Sequence, residues 1–138
     1  MEKSIRINFA VILFILYLAA LGLLCFLHGD NLPNITGTWH GFRADDIVHA
    51  IMFLPFVPLA YICISFRKAT FFKSMLLLVF IASVGACTAY ATELIQGELK
   101  YRTYELRDFV SDCVGLAAGF AIVTAGIILK YLLKRLFS

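Results

Sequence analysis

Charge is what this sequence has least of. Asp, Glu, Lys and Arg make up 15% of its 138 residues, where a soluble domain usually carries about 25%. A short chain is mostly surface once folded, so a soluble domain of this size could not hide what fills the gap. Cysteine is sparse too: Cys25, Cys63, Cys87 and Cys113, with no Cys-x-x-Cys pair. That argues against a disulfide framework or a cysteine metal site, and leaves four small apolar packing residues. There is no repeat, no low-complexity tract and no basic patch of the kind that binds nucleic acid. His-Glu-x-x-His, a nucleophile elbow and a phosphate-cradling glycine loop are also missing, so the common signatures of metalloproteases, hydrolases and nucleotide-binding enzymes do not apply.

What is present is apolar, at 62%, and it falls into blocks. Residues 7–27, 47–66 and 74–92 contain no Asp, Glu, Lys or Arg, and residues 109–129 contain only Asp112. A helix needs roughly 20 apolar residues to cross the hydrocarbon core of a bilayer. Backbone polar groups in lipid must pair within the segment, and the alternation of a membrane barrel is absent. The sequence therefore predicts a single all-α membrane domain over residues 1–138. Its four transmembrane helices cover about 7–27, 47–66, 74–96 and 109–133, with outer loops 28–46 and 97–108 and an inner loop 67–73. The first block is too long for a signal-peptide core and no small-residue cleavage site follows it, so it reads as a retained anchor. Pro55 and Pro58 remove two backbone donors from the second span and predict a kink there.

Four spans put both termini on one side. That side holds Lys3, Arg6, Arg67, Lys68, Lys73, Lys130, Lys134 and Arg135; the other holds Arg43, Lys100, Arg102 and Arg107. Lys and Arg favour the cytoplasmic side, which predicts cytoplasmic termini. Of the acids only Glu2 lies with the termini, while Asp30, Asp45, Asp46, Glu93, Glu98, Glu105, Asp108 and Asp112 lie at the other face. The inner face is a basic rim, and the mixed outer face is where function is expected.

At that outer face Asp45 and His49 share one side of the second helix, Glu93 and Gln96 end the third, and Asp108 and Asp112 begin the fourth. Arg102 and Arg107 lie in the connection between the last two. Beneath the acids, Gly115 and Gly119 form a Gly-x-x-x-Gly on the fourth helix, and Ala82, Ala86 and Ala89 line the third under Glu93. Small residues let membrane helices approach closely, so these stripes predict contact between the third and fourth helices, with Glu93 and Asp112 brought together. Asp45, Asp46 and Asp108 equally suit N-cap roles at positive helix ends. Glu93 sits near a helix C-terminus, which disfavours an anion; it needs Arg102 or Arg107, a proton or a bound cation beside it. Trp39, His40 and Phe42 suggest an interfacial aromatic patch.

These residues resemble the VanZ-like family of small bacterial membrane proteins, whose pattern runs D-K-x-x-H, E-x-x-Q, R and D-x-x-x-N-x-x-G. Asp45-Asp46-Ile47-Val48-His49 is similar to the first element, Glu93-Leu94-Ile95-Gln96 to the second and Arg102 to the third. Asp108, Asp112 and Gly115 follow the fourth, with a further glycine at Gly119. Two positions depart from it: Asp46 stands at the usual Lys and Asp112 at the usual Asn. The resemblance covers over half of the chain. It implies a bacterial cytoplasmic-membrane location and an envelope role associated with resistance to teicoplanin, a lipidated glycopeptide, without bringing a settled reaction.

Three functions compete at this stage. One is a non-enzymatic envelope protein that binds a lipid head group or cell-wall precursor through a cluster of Asp45, His49, Glu93, Gln96, Arg102, Asp108 and Asp112. Another is a membrane enzyme acting on a lipid-linked or phosphate-bearing substrate, with His49 or Glu93 as base, Arg102 as anion binder, and Asp45, Asp108 and Asp112 as metal-binding carboxylates. The third is a small proton-coupled transporter, which would have to oligomerise to build a path. No resident metal or cofactor is assigned, and no nucleic-acid partner is expected; the bilayer is the one partner common to all three.

Overall fold

A computed structural model describes residues 2–26, 38–39, 42–64, 70–99 and 105–137. Among them, all is helical apart from a ladder of two two-residue strands and a few turn and helix-end residues. Helix α1 spans Glu2–Phe26. A short antiparallel pair follows, β1 (Thr38–Trp39) with β2 (Phe42–Arg43), in the register Thr38↔Arg43 and Trp39↔Phe42. Then come α2 (Ala44–Phe53), α3 (Phe56–Ile64), α4 (Phe71–Glu98) and α5 (Leu106–Leu136). Four helical segments are long and apolar enough to cross a membrane, with α2 and α3 together, Ala44–Ile64, making the second.

The helix ends follow local chemistry. Helix α2 starts earlier than the charge-free block because the carboxylate of Asp46, in its first turn, reaches back to the Arg43 N–H at 2.9 Å, satisfying a donor that a helix start leaves bare. At α4 the Thr70 hydroxyl accepts from the Lys73 N–H at 3.4 Å. Helix α5 runs past residue 133, with Lys134 and Arg135 in its last turn, where cations favour the negative helix end. The expected kink is a complete break: α2 stops at Phe53 and α3 resumes at Phe56. Pro58 has no N–H to offer the Leu54 carbonyl, and Pro55 has none for Ile51. Helix continuity is lost where two donors four or fewer residues apart are missing.

Contacts run alternately up and down. At one end the Gln96 side chain of α4 donates to the Cys25 carbonyl of α1 at 2.7 Å, and His49 of α2 meets Asp112 of α5. Towards the other end Cys63 of α3 donates to the Ala10 carbonyl of α1, and Phe71 of α4 packs edge-on against Tyr131 of α5. Gln96 thus satisfies one of the last carbonyls of α1, which the helix itself cannot. The bundle centre holds Phe53, Phe56, Val57, Leu78, Ile81, Ala89 and Leu116. Phe56 carries Phe14 and Tyr17 of α1 edge-on at 5.8 and 6.5 Å, and the Tyr17 hydroxyl donates to the Met52 carbonyl beside the helix break at 2.7 Å.

One expectation about packing needs correction. Gly115 and Gly119 do sit at a close helix approach, but against the second segment rather than the third. A methyl group on Gly115 would collide with the Ala50 carbonyl, and one on Gly119 with the Leu54 carbonyl and the Pro58 ring. The broken second segment explains part of the choice: the Leu54 carbonyl has no helical donor because Pro58 lacks an N–H, and Gly119 lies against it. The Ala50 carbonyl under Gly115 accepts the Leu54 N–H at 3.1 Å, and there the bare Cα serves only to let the two backbones come close. Helix α4 has its own glycine: a Cβ on Gly85 would meet the Leu116 side chain of α5 at 2.6 Å and the Phe56 ring at 3.1 Å.

Polarity is inverted relative to a soluble protein. Large apolar side chains such as Phe9, Leu16, Phe72, Phe80, Ile122 and Leu132 are exposed, while Asp46, His49, Glu93, Gln96, Asp108, Ser111 and Asp112 are buried. Such a surface suits lipid as its solvent, and the buried polar groups mark the interior where chemistry can be held.

Candidate functional site

The buried polar groups gather at the end of the bundle where α2 and α5 begin and α4 finishes. The outermost layer is a rim of ion pairs. Arg107 grips Asp46 through Nε (2.9 Å) and Nη2 (2.7 Å). Arg43 donates to Glu105 at 2.7 Å and to Asp45 at 3.4 Å. Both clamps tie the start of α2 to the start of α5. The hydrogen bond that Arg43, lying outside the helical spans, donates to Glu105 holds its guanidinium pKa above the usual value, so the guanidinium stays charged. Sequence reasoning missed both pairings. Asp46 is one of the two residues that depart from the VanZ-like pattern, and its bidentate partner Arg107 explains how an acid is accommodated at that position.

One turn below lies His49, with a carboxylate at each ring nitrogen. Nδ1 is 3.0 Å from Asp112 Oδ1, and Nε2 is 3.6 Å from Asp108 Oδ2. The first distance is a hydrogen bond; the second is too long to be one. Asp108 and Asp112 flank the ring because four residues is about one helical turn, which stacks them on one face of α5. Glu93 of α4 closes the group from a third helix: His49, Glu93 and Asp112 each offer a donor atom within 4.8 Å of the other two, and Asp45, His49 and Asp108 do the same. Glu93 and Asp112 are each 1% exposed. Both carboxylate oxygens of Glu93, Oδ1 of Asp108 and Oδ2 of Asp112 lack a hydrogen-bond partner among the described residues.

The remaining expected residues stand as follows. Asp45 is at the mouth, its side chain 49% exposed. Gln96 is buried but turned to the Cys25 carbonyl, so it ties α1 to α4. Arg102 lies outside the described residues, as do Lys100 and Thr103. Arg107, the other cation offered to Glu93, is bound to Asp46 instead. Ser111 donates to the Arg107 carbonyl of its own helix at 3.1 Å, and among the described residues no hydrogen bond joins it to His49, as a nucleophile and its base would require.

The chemistry of this centre follows from counting charges. Three buried carboxylates surround one imidazole, and a protonated imidazole would balance only one of them. Taking carboxylates out of water without a partner costs several kcal/mol each in effective terms. The arrangement suits a proton, a cation or a polar ligand that brings positive charge. Comparison with protein-family models, curated proteins and solved structures gives no match, so the VanZ-like resemblance rests on the motif residues themselves.

Proposed function

We propose that this is a VanZ-like protein of the bacterial cytoplasmic membrane. Both termini lie in the cytoplasm, and the His49 centre holds an extracytoplasmic ligand, a lipid head group or a cell-wall precursor. Through that binding it lowers susceptibility to lipoglycopeptides such as teicoplanin. The observation that carries the reading is the convergence of Asp112, Asp108 and Glu93, from two helices, on an imidazole supplied by a third. Ionisable groups inside apolar helices are expensive, and such expense is the usual mark of function. The test is teicoplanin susceptibility of a sensitive bacterium expressing the protein, with membrane abundance measured in parallel. His49→Ala, Glu93→Gln and Asp112→Asn are each expected to return susceptibility to that of cells lacking the protein. Wild-type protection by all three at normal abundance would refute the reading.

A second reading has one observation in its favour. The 3.0 Å His49–Asp112 contact is the arrangement of a general base oriented by a carboxylate. A membrane enzyme of this kind would activate water against a lipid-linked phosphate. Release of phosphate from lipid pyrophosphates by the purified protein, abolished by His49→Ala, would favour it over simple binding.

A further inference from the structure

We propose that His49, Glu93 and Asp112 bind a divalent transition-metal ion, replacing the sequence-based reading that assigns no metal. The inference uses the same centre as the proposed function but does not depend on the envelope role.

Three features point to an ion rather than to a merely acidic corner. The first is the donor set: one ring nitrogen and two carboxylates, from α2, α4 and α5, whose ligand atoms all lie within 4.8 Å of one another. Two ligands about 2.1 Å from a tetrahedral ion lie about 3.4 Å apart, and one pair here, His49 Nδ1 and Asp112 Oδ1, is at 3.0 Å. The second is Glu93. It is almost wholly buried, it belongs to this trio, and neither of its oxygens has a hydrogen-bond partner among the described residues. A carboxylate in that state needs positive charge, and its position near the C-terminal end of α4 makes the local field worse. The third is neutrality. Two carboxylates, a neutral imidazole and a doubly charged ion sum to zero, so the ion answers both ligand carboxylates and leaves only the neighbouring Asp108 charge beside the set.

The surroundings match how metal sites are built. With Nδ1 on the ion, Nε2 of His49 has the Asp108 carboxylate 3.6 Å away, beyond hydrogen-bond length but within the short shift that would let it orient a ligating histidine. Asp45, half exposed at the mouth, places negative charge on the approach path. Mixed imidazole and carboxylate donors favour zinc, manganese or ferrous iron over magnesium or calcium. Three protein ligands leave a coordination position open, as in catalytic rather than structural sites. That position would let an acid-lined centre hold an anionic phosphate or carboxylate, which the carboxylates alone would repel.

The test uses the purified full-length protein in detergent, stripped with chelator and titrated with manganous ion, which thiols bind weakly, and separately with zinc. About one equivalent of tightly held ion is expected, with the Tm of the wild type raised by about 5 °C or more at saturation. Glu93→Gln should abolish that rise while making the metal-free protein more stable than wild type, because it removes a buried carboxylate that has no hydrogen-bond partner among the described residues. Asp112→Asn should also abolish it, whereas Asp108→Asn should keep the stoichiometry and weaken affinity about 10–100-fold. No ion-dependent rise in wild-type Tm, or an unchanged rise in Glu93→Gln, would overturn the proposal. Metal binding without any teicoplanin phenotype would leave this inference standing and sink the envelope reading alone.

Discussion

The side chains at this end of the bundle divide by whether their charge is answered. Asp46 is answered: it accepts the Arg43 N–H and two nitrogens of Arg107. Glu93, one of the trio around His49, is not, among the described residues. This difference sets the sign of substitutions. Arg107 is half exposed while the Asp46 side chain is 7% exposed. Arg107→Gln would therefore strand a nearly buried carboxylate, and Asp46→Asn would leave only a solvated guanidinium. Arg107→Gln should lower Tm more than Asp46→Asn, and the double variant should be less damaged than the two losses summed. The expected coupling is about 1 kcal/mol, the scale of a bidentate pair with one partner in solvent. Thermal denaturation of the four proteins closes the cycle, and strict additivity would show that the pair contributes nothing.

Among the helices, what matters is where backbone meets backbone. The break between α2 and α3 leaves the Leu54 carbonyl without a helical donor, and α5 packs its backbone against that carbonyl at Gly119 and against the Ala50 carbonyl at Gly115. A substituent at either position meets a carbonyl, which cannot swing aside as a side-chain tip can. Gly115→Ala is thus expected to cost about 1–3 kcal/mol, and Gly119→Leu should be worse. Gly85→Ala meets the ends of the Leu116 and Phe56 side chains, so its cost should be smaller. A methyl group on Gly126 would meet nothing within 4 Å, and Gly126→Ala should be neutral or stabilising by up to about 1 kcal/mol from helix propensity. Folded yield and Tm of the four variants measure this order. Equal tolerance at Gly115 and Gly126 would mean that α5 does not press on the second segment.

For the whole molecule the decisive asymmetry is chemical. One end carries the acid–imidazole centre under its arginine rim, and the sequence assigns eight basic residues to the other side and four to this one. If the chain crosses a membrane as its basic residues direct, Lys68 and Ser138 face the cytoplasm and Trp39 and Lys100 face outward. Single cysteines at those four positions, in a background with Cys25, Cys63, Cys87 and Cys113 replaced, should react with an impermeant thiol reagent in intact cells only at 39 and 100. Labelling at 68 would invert the topology and move the centre to the cytoplasmic end.

Four helical crossings and the acidic end were legible in the sequence because polarity is carried residue by residue. A run without charge states its own solvent, and acids four apart on a helix must share a face. Glu93, His49 and Asp112 could be assigned to one end for the same reason. Which atoms meet there was not legible. Arg107 could have answered Glu93 or Asp46, and only the packed starts of α2 and α5 place it on Asp46. Gln96 looked like a pocket residue until the end of α1 came within its reach. The glycine stripe of α5 could have faced either neighbour. The choice fell to the proline-broken segment, whose Ala50 and Leu54 carbonyls press on the bare Cα atoms of α5; that close approach is a feature of the folded backbone rather than of any one residue type.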